Sequence, residues 1–79
     1  MESKQWNVQI YITEVDNLTS AHAVLTTRDA QLTGTGSAHR NPIDPLIPEI
    51  GDELAAARAL ADLSGKLIAI SSEDISHLR

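Results

Sequence analysis

The chain has no cysteine, no long apolar run, and only six Lys and Arg residues against eleven Asp and Glu. Without cysteine it can form neither a disulfide framework nor a cysteine-based zinc site, and it has no thiolate nucleophile. A formal net charge of −5 leaves too few cations to neutralise phosphates, so we expect no binding to bare DNA or RNA. No stretch approaches the roughly 18 apolar residues of a membrane helix, and residues 1–5 are too polar for a signal peptide. We therefore expect a soluble, cytoplasmic protein that does not contact membranes.

The composition that remains is that of a small folded domain. Seventy-nine residues, 42% of them hydrophobic, predict one domain over residues 1–79 with a single small core. A chain of this size buries only roughly 60–65% of the surface that its unfolded form exposes. Since it lacks disulfides, self-association is the usual remaining source of stability.

Period-two alternation near the N-terminus predicts a half-buried strand. Trp6, Val8, Ile10 and Ile12 share one face, and polar side chains alternate with them. Two further strands follow after short turns, and short connections between consecutive strands predict an antiparallel meander. We expect Trp6 to be a core or interface anchor.

A proline-containing segment then leads into a run of strong helix formers, so the predicted fold class is α+β in the order β-β-β-α. The predicted elements are strands over about 6–13, 19–28 and 31–40, a helix over about 49–70 and a short terminal helix over about 72–78. Gly65 leaves two alternatives for residues 66–70, which continue the helix or form a fourth strand. We favour the helix, because the apolar stripe stays in phase through Ile68.

The third strand carries glycine at alternate positions. Leu32, Gly34, Gly36 and Ala38 share one face. Since glycine weakens a strand, its repetition on one face predicts that the helix approaches this backbone closely.

The predicted helix has more apolar surface than one sheet can cover. At 100° per residue, one stripe contains Ile50, Leu54, Ala57, Ala61 and Ile68, and a second contains Ala56, Leu60, Leu63, Leu67 and Ile70. The apolar arc spans about 200°, whereas packing on a sheet needs about 100–120°. We therefore expect a homodimer, and the residues predicted to make its contact are Leu60, Leu63, Leu67 and Ile70.

No residue pattern assembles a reaction centre. His22 and His39 lie on outward strand positions without a third ligand, which is a weak basis for a metal site. Ser37 lies on a strand without the sharp turn of a nucleophile elbow. We predict no catalytic, cofactor-binding or metal-binding residues, and hence no enzyme.

Two arginines are candidate contacts for another partner. Arg28 and Arg40 are the last residues of the second and third predicted strands. We also expect Arg40 to bind carbonyls of the adjacent loop or to pair with Asp44. On the helix, Asp62 and Lys66 have the i,i+4 spacing of an ion pair.

The block from the third strand through the helix resembles a small actinobacterial family of uncharacterised domains with an α/β fold like that of double-stranded-RNA-binding domains. The matching residues are Trp6 with the first strand, Gly34-x-Gly36-x-Ala38, Arg40-Asn41-Pro42, Pro48-Glu49-Ile50-Gly51-Asp52-Glu53-Leu54 and Ala57-Arg58-Ala59-Leu60-x-Asp62-Leu63. The resemblance covers residues from about 6 to 70. It implies a sheet-plus-helix domain that tends to dimerise and has no established catalytic residues. Some members of the family are associated with dormancy or hypoxic stress. The family has also been likened to ribosome hibernation-promoting factors, which makes the ribosome an alternative partner.

Overall fold

The computed structural model describes residues 1–78 and confirms the predicted β-β-β-α order. The elements are β1 (Asn7–Val15), β2 (Leu18–Thr26), β3 (Gln31–His39) and α1 (Pro48–His77). The strands form one antiparallel sheet in the order β1-β2-β3.

Both strand connections are tight. Asp16 adopts a positive φ of 54° between β1 and β2, a conformation that Asp tolerates better than most residues. Between β2 and β3, the Thr27 amide donates to the Ala30 carbonyl at 2.8 Å. These turns fix the register, in which Ile10 lies opposite Ala23 and Ala23 lies opposite Gly34.

The glycines of β3 lie directly beneath the helix, as the sequence predicted. A Cβ added at Gly34 would lie 2.3 Å from the Ala59 carbonyl oxygen, and one at Gly36 would lie 2.4 Å from the Ala59 amide nitrogen. Because no side chain fits there, the helix backbone rests on the strand backbone. The core is correspondingly small-sided and consists of Ala21, Ala23, Leu25, Ala38, Ala55, Ala59 and Leu63.

The helix is one continuous element of 30 residues. It passes through residues 66–70, so the alternative of a fourth strand does not occur, and the expected separate helix over 72–78 is its last two turns. Gly65 has no positive φ that would turn the chain out of the helix, and Ser71 and Ser72 lie within it instead of capping a new one. At about 1.5 Å per residue, α1 is about 45 Å long, whereas a nine-residue strand spans about 30 Å.

The helix therefore extends beyond the sheet. Leu67 is the last partly buried side chain of α1 and packs against the core, whereas residues 68–77 are exposed. The molecule measures 54 × 26 × 18 Å, and its radius of gyration of 15.9 Å exceeds the roughly 12 Å of a compact domain of this length. Within residues 1–78, no helix is both long enough and apolar enough to cross a membrane.

Candidate interaction surface

The outer edge of β3 is closed by side chains of α1. Arg58 Nη1 donates to the Ser37 carbonyl at 2.7 Å, the Thr35 amide donates to Asp62 Oδ2 at 2.8 Å, and Lys66 Nζ donates to the Thr33 carbonyl at 2.6 Å. These are backbone groups that an added strand would need, so this edge is protected from further pairing.

The predicted pair of Asp62 and Lys66 forms part of this closure, with 3.4 Å between Lys66 Nζ and Asp62 Oδ2. The pKa of Asp62 is lowered from its usual 3.8, chiefly because its carboxylate accepts the Thr35 amide hydrogen bond. The positive charge of Lys66 lowers the pKa further, and desolvation opposes both effects.

The opposite strand, β1, is left open on its core-facing side. Val8, Ile10 and Ile12 share a face with the buried residues of β2, because they lie opposite Leu25, Ala23 and Ala21. They nevertheless remain 42%, 38% and 44% exposed, since α1 lies over β2 and β3 and scarcely reaches β1. We call these three side chains the β1 strip.

The sequence pattern assigned the β1 strip to the core and did not identify it as a surface. The signal that could have found it is the placement of glycine and alanine on β3, which draws the helix to that side of the sheet. Trp6 was expected to be a core or interface anchor. It is not a core residue, because it precedes β1 and is 59% exposed.

The predicted dimer contacts divide between the core and the surface. Leu63 is buried between α1 and the sheet, so it stabilises the core of its own chain and is not available to a partner. Leu60 and Ile70 are about 40% exposed, and Leu67 is half-buried. Because Arg58, Asp62 and Lys66 occupy the β3 side of α1, Leu60 and Leu67 lie on its β1 side.

A further apolar stripe points away from the sheet. Ala57, Ala61 and Ile68 lie opposite the buried Ala59 on the helical wheel, and all three are exposed. The helix is thus apolar towards the sheet, towards β1 and towards solvent, a distribution typical of a helix that is buried on several sides.

The outward face of the sheet carries no Asp, Glu, Lys or Arg. It is formed by Asn7, Gln9, Tyr11, Thr13 and Val15 of β1, Leu18, Ser20, His22, Val24 and Thr26 of β2, and Gln31, Thr33, Thr35, Ser37 and His39 of β3. Depletion of charge also occurs at the centre of protein interfaces, so this face is a second candidate surface.

The chemistry-bearing residues of that face remain apart. His22 lies opposite Thr35 and His39 lies opposite Leu18, so the two histidines do not pair across the sheet. Within residues 1–78, no three His, Asp or Glu side chains come together as a metal site.

The two predicted partner-contact arginines have different environments. Arg40 is held within the chain, because its guanidinium donates to the Asp44 carbonyl at 2.8 Å and to Asn17 Oδ1 at 2.7 Å. These bonds confirm the expected contact of Arg40 with loop carbonyls. Arg40 also lines one side of an open cavity of about 420 Å³ beside the start of α1. Arg28 instead lines a shallow surface cavity together with Lys4 and Trp6.

The comparisons with known proteins agree on one family. A family model described as Rv2632c-like matches residues 4–79. The chain is 47% identical over 72 residues to the uncharacterized protein Mb1767 of Mycobacterium bovis, which covers 91% of this chain and 77% of that protein. It is 43% identical, with the same coverage, to the uncharacterized protein Rv2632c of Mycobacterium tuberculosis. The crystal structure of Rv2632c superposes with a TM-score of 0.91 at 40% identity, covering 98% of this chain and 92% of that one.

Proposed function

Because the chain belongs to the Rv2632c-like family, whose members Mb1767 and Rv2632c are uncharacterised proteins, we propose from its surface that it is a non-enzymatic interaction domain acting as a homodimer. The same proposal places it in the cytoplasm. An association with stress is proposed from the family resemblance of the sequence alone.

One observation carries the proposal of a dimer: the protomer exposes too much surface for its mass. Its accessible surface is 6267 Å². A folded monomer of 8.5 kDa exposes about 4,650 Å² on average, so the excess is about 1,600 Å². A protein–protein interface of standard size buries about 800 Å² per partner, so the excess is enough for a stable dimer.

The apolar character of the excess supports a protein partner over a polar ligand. The β1 strip and the exposed stripes of α1 lie on neighbouring surfaces of one small chain, and contiguous exposed apolar area of this kind marks interaction sites. A second copy is always present at the concentration of the first, and a two-fold contact uses the same patch twice.

Light scattering coupled to gel filtration tests the proposal. We expect a mass of about 17 kDa, twice that of the 8.5 kDa chain, at micromolar concentration. Ile10→Lys places a charge in the β1 strip and should give a monomer. Thr13→Lys adds the same charge to the other face of the same strand and should leave the dimer intact.

A parent chain that remains monomeric at high micromolar concentration would contradict the proposal. If Thr13→Lys dissociates the dimer and Ile10→Lys does not, the outward face of the sheet is the interface instead. Circular dichroism of each variant shows whether the protomer remains folded.

The alternative function, a ribosome-associated hibernation-type factor, draws support from one place in the fold. Lys4, Trp6 and Arg28 line the same shallow cavity together with Asp29, so two cations and an aromatic ring meet one carboxylate there. Phosphate contacts weaken steeply with salt, because bound counterions are released. Co-sedimentation with ribosomal particles that is lost at high salt and in Arg28→Ala would favour this alternative.

A further inference from the structure

We propose that the cavity beside the start of α1 is a binding site for a small apolar molecule that carries one carboxylate group. The cavity has a volume of about 420 Å³ and lies between the segment that links β3 to α1 and the first turns of the helix. No residue of β1 lines it, so this site is separate from the β1 strip.

The walls of the cavity are mostly apolar. The lining includes Ala38 of β3, Pro45 and Ile47 of the linking segment, and Ile50 and Leu54 of α1. The last three of these side chains remain exposed, so apolar area is left open to solvent there. Small-molecule sites are typically cavities of about 300–1,000 Å³ with apolar walls and a few placed polar groups. The cavity therefore suits the body of a small apolar ligand.

Arg40 supplies a cation to one wall of the cavity. Its guanidinium donates to the Asp44 carbonyl and to Asn17 Oδ1, which are both neutral oxygens. Within residues 1–78, no ion pair includes Arg40. A half-buried positive charge that no carboxylate neutralises attracts an anion more strongly than a fully solvated one does.

One donor of this guanidinium lacks an acceptor. Arg40 Nε is shielded from solvent, and among the side-chain nitrogens and oxygens so shielded within residues 1–78 it alone has no hydrogen-bond partner. A buried donor without an acceptor is unfavourable, most of all on a charged group. Because arginine only donates, the missing group is an acceptor, and a carboxylate also matches its charge. The guanidinium would turn towards the cavity to bring Nε within reach of that carboxylate.

Two further polar features lie beside the cavity. Thr19 is buried, and its Oγ1 faces Gly51, where an added Cβ would lie 3.0 Å away. Ile47 precedes α1 without a side-chain capping bond, so the positive end of the helix faces the same region. All three residues line the cavity. A hydroxyl group and a helix N-terminus can each donate to a carboxylate oxygen that Arg40 does not bind.

Asp44 is the one carboxylate residue of the lining, and it gives the proposal a test of sign. Its backbone carbonyl binds Arg40, whereas its side chain is exposed. That side chain should repel an anionic ligand and attract a cationic or zwitterionic one. Asp44→Asn removes the charge and retains the carbonyl. We expect it to bind an anionic ligand roughly two- to fivefold more tightly, which is the size of an exposed charge interaction.

Titration with octanoate, followed by nuclear magnetic resonance, tests the proposal, because it locates the bound molecule on the chain. We expect the amide signals of Ala38, Ile50 and Gly51 to shift and those of the β1 strip to stay. Octan-1-ol and octylamine have the same hydrocarbon chain with a neutral and a cationic head group. Both should bind roughly tenfold more weakly, because they lose the charged hydrogen bond to Arg40.

Charge substitutions inside and outside the cavity supply the matched comparison. Ile50→Glu places a negative charge in the wall and should abolish octanoate binding. Ile43→Glu makes the same change in the linking segment, at an exposed residue that does not line the cavity, and should bind octanoate like the parent. Arg40→Gln should lose the preference for octanoate over octan-1-ol. If circular dichroism shows that Arg40→Gln is unfolded, Asp44→Asn decides the sign instead.

Four results would overturn the proposal. Equal affinity for octanoate, octan-1-ol and octylamine would show that the cavity does not recognise a carboxylate. Weaker octanoate binding by Asp44→Asn would reverse the charge assigned to the ligand. Shifts confined to the β1 strip would place octanoate on that surface, and no shift at millimolar octanoate would leave no site. None of these results bears on the homodimer, which light scattering tests separately.

Discussion

At the scale of single residues, two glycines decide where the helix lies. Gly34 and Gly36 allow the backbone of α1 to contact the backbone of β3, at distances that no Cβ would permit. The sequence revealed this pair through their alternate spacing. It did not reveal the consequence, which is that a helix drawn onto β3 leaves β1 uncovered.

Gly36→Ala should therefore destabilise the protein. The added methyl group would meet backbone atoms of Ala55, Arg58 and Ala59, so the whole helix would have to move. Overpacking of this kind costs typically about 1–3 kcal/mol, and more where only backbone can yield. Urea unfolding of the parent and of Gly36→Ala measures this loss in the free energy of unfolding.

Gly65→Ala is the matched control for that substitution. Nothing lies within 4 Å of a Cβ at Gly65, and its helical position favours alanine by about 1 kcal/mol. We expect it to stabilise the protein. If Gly36→Ala is as stable as the parent or more stable, close packing at Gly36 is refuted.

At the scale of elements, the two edges of the sheet differ in how far the helix covers them. The β3 edge is covered by Arg58, Asp62 and Lys66, whereas β1 keeps an open edge and an exposed apolar face. The i,i+4 spacing of Asp62 and Lys66 was visible in the sequence. Their role was not, because it depends on how the helix is rotated over β3.

Asp62 gives the fold a pH dependence of known sign. Its pKa is lower in the folded protein than the usual 3.8, so its ionised form stabilises the fold above that value. The stabilisation is lost as the pH falls below 3.8 through the folded pKa. We expect the free energy of unfolding of the parent to fall more over this window than that of Asp62→Asn.

Urea unfolding of both proteins between neutral pH and pH below 3.8 measures this difference. Asp74→Asn removes the same charge from the part of α1 that extends beyond the sheet and serves as the control. If the parent and Asp62→Asn lose stability in parallel, the Thr35 amide does not stabilise the Asp62 carboxylate.

At the scale of the whole molecule, the extended shape has a thermodynamic consequence. A protomer with a radius of gyration of 15.9 Å and a bare apolar strip gains stability when a second copy covers it. Binding that favours the folded state makes the midpoint of thermal unfolding depend on concentration.

We therefore expect the unfolding midpoint to rise by a few degrees for each tenfold increase in protein concentration, since a tenfold change corresponds to about 1.4 kcal/mol. Differential scanning calorimetry over a hundredfold range measures the rise. Ile10→Lys should unfold at a midpoint independent of concentration, while Thr13→Lys should follow the parent. If the unfolding midpoint of the parent does not change with concentration, folding and association are not coupled.

The sequence by itself determined the order of elements, the meander and the close approach at Gly34 and Gly36, because alternation, turn residues and helical periodicity are local properties of the chain. It also indicated an excess of apolar helix surface. Only the tertiary structure decided which residues carry that excess. Leu63 and Leu60 belong to one stripe in the sequence, yet one is core and the other surface, because the rotation of the helix over β3 is fixed by contacts distant in the chain. Ile10 alternates like any core residue of a strand, and it is exposed because a single helix is too narrow to cover all three strands.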